Sequence, residues 1–152
     1  MTTMRTLTVV LAGFALSLGN IASAPRLEAQ NSMPFVVVVH ESNPVLAIPR
    51  DELSRIFLKK ITVWRTKRPV TVVDQRESAK VRDQFTRAVH RREVSSVASY
   101  WQQQIFAGRA VPPAQRTSDA DVMSFVANNP DAIGYVTVGA TLAPGVKAVV
   151  VE

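Results

Sequence analysis

The chain has no cysteine, which excludes disulfides, a cysteine nucleophile and a lipid anchor attached to an N-terminal cysteine. A domain without covalent staples depends on its core. Only two histidines occur, His40 and His90, and isolated histidines without ligand spacing give no metal site. His40-Glu41 at a strand end is a poor acid/base pair, because adjacent strand residues point to opposite faces and no serine or cysteine nucleophile motif accompanies them. His90 lies in an Arg-rich turn and reads as a solvated surface residue. Catalysis is therefore not expected, and neither is a cofactor. Aromatics are also sparse, at 7%. Between Arg50 and Arg92, where basic residues are scattered, only Trp64 and Phe85 join the core-type Phe57. No basic motif interleaved with aromatics results, which argues against a nucleic-acid partner. No internal repeat, low-complexity tract or twin-arginine signal is present.

What is present begins with Arg5, the apolar run Leu7 to Leu18, and small residues ending at Ala22-Ser23-Ala24. This pattern predicts a secretory signal peptide over 1–24. Pro25 follows a cut poorly, so cleavage is expected between 22 and 29. Residues 25–33 read as a flexible segment and 34–152 as one domain, large enough to bury about two thirds of its unfolded surface. The expectation is a periplasmic or secreted protein without a membrane anchor. Without Arg5 the chain carries 17 basic and 12 acidic residues, an excess of about +5 that attracts anions without naming one.

Asp51 to Asp74 organise the domain. Leu53, Ile56 and Phe57 fall at the spacing of one apolar helix face, while Asp51, Glu52, Arg55, Lys59 and Lys60 take the wet side. Pro49 suits the first turn, with acids at the start and lysines at the end complementing the dipole. Val70 to Val73 follows as a strand covered on both faces. Before this unit, Phe35 to His40 reads as a central strand ended by Asn43-Pro44. Strand, helix and strand in this order imply a right-handed crossover and a parallel sheet. Ser78 to Val89 and Glu93 to Phe106 read as amphipathic helices, with Trp101 as a core anchor and Gly108 as the stop. Gly108 to Thr117 reads as a loop. Ser118 caps a helix with Val122, Phe125 and Val126 inward, and Ala132 to Val136 and Val146 to Val151 complete the sheet.

Ligands of an open parallel sheet bind beyond the carboxyl ends of its strands, where helix N-termini also point. Applied here, that rule selects His40, Glu41 and Ser42 after the first strand and Asp74 to Lys80 after the second. The helix start at Ser78 and Ala79 offers free amides, with Arg76, Lys80 and Arg82 nearby, a grouping suited to phosphate, sulfate or carboxylate. The alternative is a solvated helix start that Ser78 simply caps.

The run "KITVW", the basic turn and "PVTVVD", followed by a helix opening at Ser78, resembles the "GKITNW … PV" region of the phosphate-binding proteins that serve ABC importers, within the type II periplasmic binding protein superfamily. "NNPDAIGYV", Asn129 to Val136, resembles their "xxPGAIGYV" segment. The resemblance covers about Phe35 to Val138. It implies an α/β fold: a single lobe of a type II periplasmic binding protein, its sheet mostly parallel with helices on both faces. Full-length members have two lobes, and this chain has room for one. The family's Ser-Gly-Thr triplet, six residues before a phenylalanine, supplies hydroxyls and amides to phosphate. Its positions fall here on Ala79, Lys80 and Val81, so both hydroxyls are absent.

The expected function is a small-anion binding module, with phosphate as one candidate, in transport or sensing. The other reading is an interaction protein that kept the lobe and lost the ligand site. An ABC permease or another envelope protein is the implied macromolecular partner, and a dimer is compatible with both readings. Three or four charge-assisted hydrogen bonds give roughly 5–10 kcal/mol gross, and association removes at least about 4 kcal/mol. One lobe thus reaches millimolar binding or weaker, whereas micromolar affinity needs about 8 kcal/mol net. A scavenging component would need a second lobe.

Overall fold

Val36 to Val39 place four β-branched residues in a row, and the chain buries them by turning alternate side chains to opposite faces. Val37 and Val39 enter one apolar cluster and Val38 the other. The computed structural model describes residues 33–152, so the signal peptide over 1–24, its cleavage and the segment 25–32 lie outside the described residues. Met33 already packs against the core. Ser32–Glu152 form one compact unit that holds every described element.

The elements in order are β1 (Phe35–His40), β2 (Ala47–Ile48), α1 (Arg50–Phe57), β3 (Thr71–Gln75), α2 (Lys80–Phe85), α3 (Val94–Phe106), β4 (Ala114–Arg116), α4 (Asp119–Ala127), β5 (Ala132–Thr137) and β6 (Val146–Val151). Between α2 and α3 a π-helical turn, Thr86–His90, prolongs α2 into one helical segment ending at the left-handed Arg91. The six strands lie in the order β2-β6-β1-β5-β3-β4. α1, α2 and the π turn cover one face through Leu53, Ile56, Phe57, Val81, Phe85 and Val89. α4 covers the other through Val122, Met123 and Val126. Each large side chain buried in this way contributes roughly 1.5–3 kcal/mol. α3 stands further out, with Val97 and Trp101 packed on Leu58 at the end of α1.

The α/β lobe with helices on both faces is as expected, and one strand direction is not. β2 with β6, β3 with β5 and β3 with β4 are parallel. β1 is antiparallel to both of its neighbours, β5 and β6. The expected parallel β-α-β unit from β1 through α1 to β3 is therefore corrected: β5 lies between the two strands, and β1 runs against β3. An unbroken valine run reports that both faces are covered, but it carries no direction. The long connection from Glu41 to Val70, with β2 and α1 inside it, gives the chain room to reverse.

β2 and β4 fall in stretches expected to be irregular, since two and three residues are too few to show a period. Pro49 stands one position earlier than expected, at the N-cap of α1. β3 continues through Asp74 and Gln75, which the sequence placed after the strand. Ser118 does cap α4, accepting from the Asp121 amide at 3.1 Å.

Gly134 in β5 shows how tightly the α4 face is packed. A Cβ there would lie 2.7 Å from a Val73 methyl carbon and 2.8 Å from one of Val122. Both valines are fully buried and cannot swing aside. Gly134→Ala is expected to cost about 1–3 kcal/mol, read as a lower urea midpoint at unchanged slope. An unchanged midpoint would show that α4 can move off the sheet.

Candidate functional site

β3, which lies between β5 and β4, ends on two buried polar residues. Alternation turns Asp74 toward α2 and Gln75 toward α4. The Asp74 carboxylate pairs with the buried Arg82 guanidinium of α2. It also accepts from the Tyr135 hydroxyl at 2.5 Å and the Gln75 amide at 2.8 Å. Arg82 gives a further hydrogen bond to the Gln75 carbonyl, at 3.1 Å. The Tyr135 ring stacks on Phe85, with centroids 3.9 Å apart. On the other face the Gln75 side-chain amide donates to Asp119, 2.8 Å, and to the Tyr135 carbonyl, 3.2 Å. Asp119 also receives the Thr137 amide at 3.2 Å. The end of β3 is thus a rigid polar frame joining it to α2, β5 and α4.

Burial pushes the Asp74 carboxyl above its usual range, opposed by the Arg82 charge and by the Tyr135 and Gln75 donors. Burial, and then the Asp74 charge, pushes the Tyr135 phenol up. Arg82 is consequently committed to Asp74 and Gln75 and is not a free anion ligand, a departure from its expected role. Buried charges are retained where they are paired in this way.

Arg76, Ser78 and Lys80 are exposed around this frame, and Ala79 is half-buried at the N-cap of α2. Ser78 makes no cap hydrogen bond, so the simple capping role does not hold. The Lys80 and Val81 amides find no backbone acceptor within the described residues, as the geometry of a helix start dictates. These two donors, with the side chains of Arg76, Ser78 and Lys80, are what this end of the sheet offers an anion. Beside them is a cleft of about 190 Å³, lined among others by Asp74, Glu77, Arg82, Trp101, Gln102 and Pro113. Glu77 opposes the local positive charge there.

His40 and Ser42 are not part of this arrangement. Because β1 runs antiparallel, its carboxyl end lies beside the start of β5, at the opposite end of the sheet from Gln75 and Arg76. The His40 ring and the Ser42 hydroxyl bond each other there at 2.8 Å, and the Ser42 amide donates to the ring at 3.1 Å. They form a local turn. The structure thus brings together Arg76, Ser78, Ala79 and Lys80, with Arg82 behind them in the frame, and separates His40 and Ser42 from all five.

His90 is also not the solvated residue expected. Its ring is half-buried, bonds the Ser54 hydroxyl of α1 at 2.9 Å, and meets the edge of Phe85 at 5.6 Å. Burial first, then the Arg82 and Arg92 charges, lower its pKa to about 4. A histidine whose folded pKa lies below its unfolded value holds fewer protons folded than unfolded between the two. Its contribution is complete above about pH 6.5 and disappears as the pH falls toward about 4. The domain is expected to lose up to about 3 kcal/mol in that window through His90. Urea unfolding at steps between those pH values, with His90→Gln showing a flatter profile, checks it.

Asp119, Tyr135 and the α3 wall of the cleft were not anticipated at the site, whereas Gln75 falls within the selected stretch Asp74 to Lys80. Asp74 was within reach, being an acid at the end of a valine strand. Its partner Tyr135 is distant in sequence and reads from the sequence only as a strand residue.

The comparisons agree with the fold. Residues 32–150 match a family model described as the PBP superfamily domain. An ABC-type phosphate transport receptor from Vibrio cholerae is 25% identical over 78% of this chain and 46% of its own, with a TM-score of 0.63. A protein from Clostridium perfringens solved with bound phosphate is 24% identical over 78% and 44%, with a TM-score of 0.63. PstS from Borrelia burgdorferi, at 15% identity over 78% and 47% with a TM-score of 0.56, shares the fold. No curated protein matches. The chain spans less than half the length of these structures. The family match covers the sheet and all of its helices, and the protein belongs to the PBP superfamily domain family.

Proposed function

We propose that residues 33–152 form a small-anion binding module whose ligand sits at the start of α2. The observation that carries this reading is the pair of unpartnered amides at Lys80 and Val81, surrounded by Arg76, Ser78 and Lys80. Amides at a helix start and nearby cations suit a tetrahedral oxyanion or a carboxylate. The similar Clostridium perfringens protein holds phosphate, which makes phosphate the first ligand to try. One lobe supplies few bonds, so affinity is millimolar or weaker unless a second lobe closes over the ligand. A periplasmic or secreted location follows from the leader-like start, and an ABC permease or another envelope protein is the corresponding partner.

A second reading has specific support. Arg82 is consumed by Asp74, Glu77 borders the cleft, and the family's hydroxyl pair is missing. These features favour a lobe kept for protein interaction with its ligand site lost. Calorimetry of residues 32–152 with phosphate, sulfate and small carboxylates at low salt separates the two. Binding that Arg76→Ala with Lys80→Ala weakens at least about tenfold, at unchanged thermal midpoint, supports the anion module. No heat with any anion supports the interaction protein.

A further inference from the structure

We propose that the tip of α3 and the loop after it dock the domain on an anionic phospholipid surface. Phe106 is 91% exposed, with Ile105 at 52% and Val111 at 64%. α3 meets the body through Val97 and Trp101, and its last turn extends past that contact. Gly108, in the left-handed conformation, accepts the turn there, with its amide on the Ile105 carbonyl. The helix therefore ends on two consecutive exposed apolar side chains, an arrangement that a solvated helix end does not require.

The charge around this tip is mainly positive, with Glu77 the exposed acid that shares a cleft with Ile105. From Val94 to Ser118 the chain has no acidic residue; Arg109 follows the tip directly, whereas Arg116 lies over the Phe125 ring of α4. The Lys59 ammonium reaches the Pro112 carbonyl at 3.5 Å, which sets Lys59 beside Val111. Lys60 lies over the Tyr100 ring of α3, 5.8 Å from its centroid. Lys59 itself occupies a left-handed position, φ 52°, where glycine is the favoured residue.

Apolar side chains ringed by cations match the headgroup boundary of an anionic bilayer, which takes up the former and attracts the latter. A second copy packed tip to tip would oppose these cations with its own. A projecting tip fits a fluid surface without needing a complementary pocket. Ile105 borders the cleft beside the anion site, but Phe106, Lys59 and Lys60 do not, so the two proposals fail separately.

Residues 32–152, which hold every described element, are sedimented with vesicles of phosphatidylcholine and of its equal mixture with phosphatidylglycerol. Binding is expected on the mixed vesicles alone, weakening as salt rises. Phe106→Ser should lower the partition about tenfold and Lys60→Gln about fivefold, with thermal midpoints unchanged, while Phe106→Trp retains binding. Absence of binding to mixed vesicles overturns the proposal. So does full binding by Phe106→Ser, which would leave diffuse charge as the cause. A dimer in light scattering that Phe106→Ser converts to a monomer, without vesicle binding, would assign the tip to self-association instead.

Discussion

Arg82→Met is expected to cost the domain about 3–5 kcal/mol, because it leaves the Asp74 carboxylate buried without its counter-charge. Methionine fills the same channel, so the loss reflects the uncompensated charge and not a cavity. Tyr135 and the Gln75 amide still donate to Asp74, but two hydrogen bonds do not replace a guanidinium in a dry frame. The pH response that buried Asp74 already gives the domain then grows. Desolvation, now unopposed by Arg82, holds the folded pKa of Asp74 above its unfolded value. A carboxyl raised on folding contributes stability below its unfolded pKa and loses it as the pH rises. The Arg82→Met protein should therefore regain stability toward acid, opposite in sign to the His90 effect. Adding Asp74→Asn removes the buried charge while keeping an acceptor for Tyr135, and should restore most of the loss. Urea unfolding of the two single variants and the double variant gives the coupling directly. A cost below about 1 kcal/mol for Arg82→Met would mean that water reaches Asp74.

Phe85→Ala should be comparably damaging, at about 3–5 kcal/mol. Phe85 is fully buried between α2 and the sheet. Its ring lies 3.9 Å from Tyr135, 4.6 Å from Phe57 and 5.1 Å from Phe35 by centroids. Removing it vacates the centre of the aromatic cluster that fixes α1 and α2 on the same face, and it uncovers the Asp74–Tyr135 bond. Domains of this size are stable by about 5–15 kcal/mol, so the loss should appear as a clearly lowered urea midpoint. A midpoint near wild type would show that Phe57 and Tyr135 can close the gap.

Where a residue pattern repeats locally, the sequence reports the structure. Leu53, Ile56 and Phe57 are buried on α1 as their spacing requires, and Ser118 caps α4. Direction is a different kind of information. Val36 to Val39 would read the same in a parallel or an antiparallel neighbourhood, and the choice is made by where the chain returns after Glu41. That one reversal moved His40 and Ser42 to the far end of the sheet from Arg76. The site's frame was illegible for a related reason. Asp74 with Tyr135, Gln75 with Asp119 and Ser54 with His90 are pairs formed by folding, and no spacing rule joins residues so far apart. Arg76, Ser78 and Lys80, proposed to face an anion, were legible because they follow one strand and open one helix.

The most direct measurement is amide chemical-shift mapping of residues 32–152 during a phosphate titration at low salt. Binding at the start of α2 predicts that the Lys80 and Val81 amides move first and furthest, with Arg76 and Ser78 beside them. Saturable shifts elsewhere, or none at millimolar phosphate, would contradict the anion module and leave the lobe as an interaction surface.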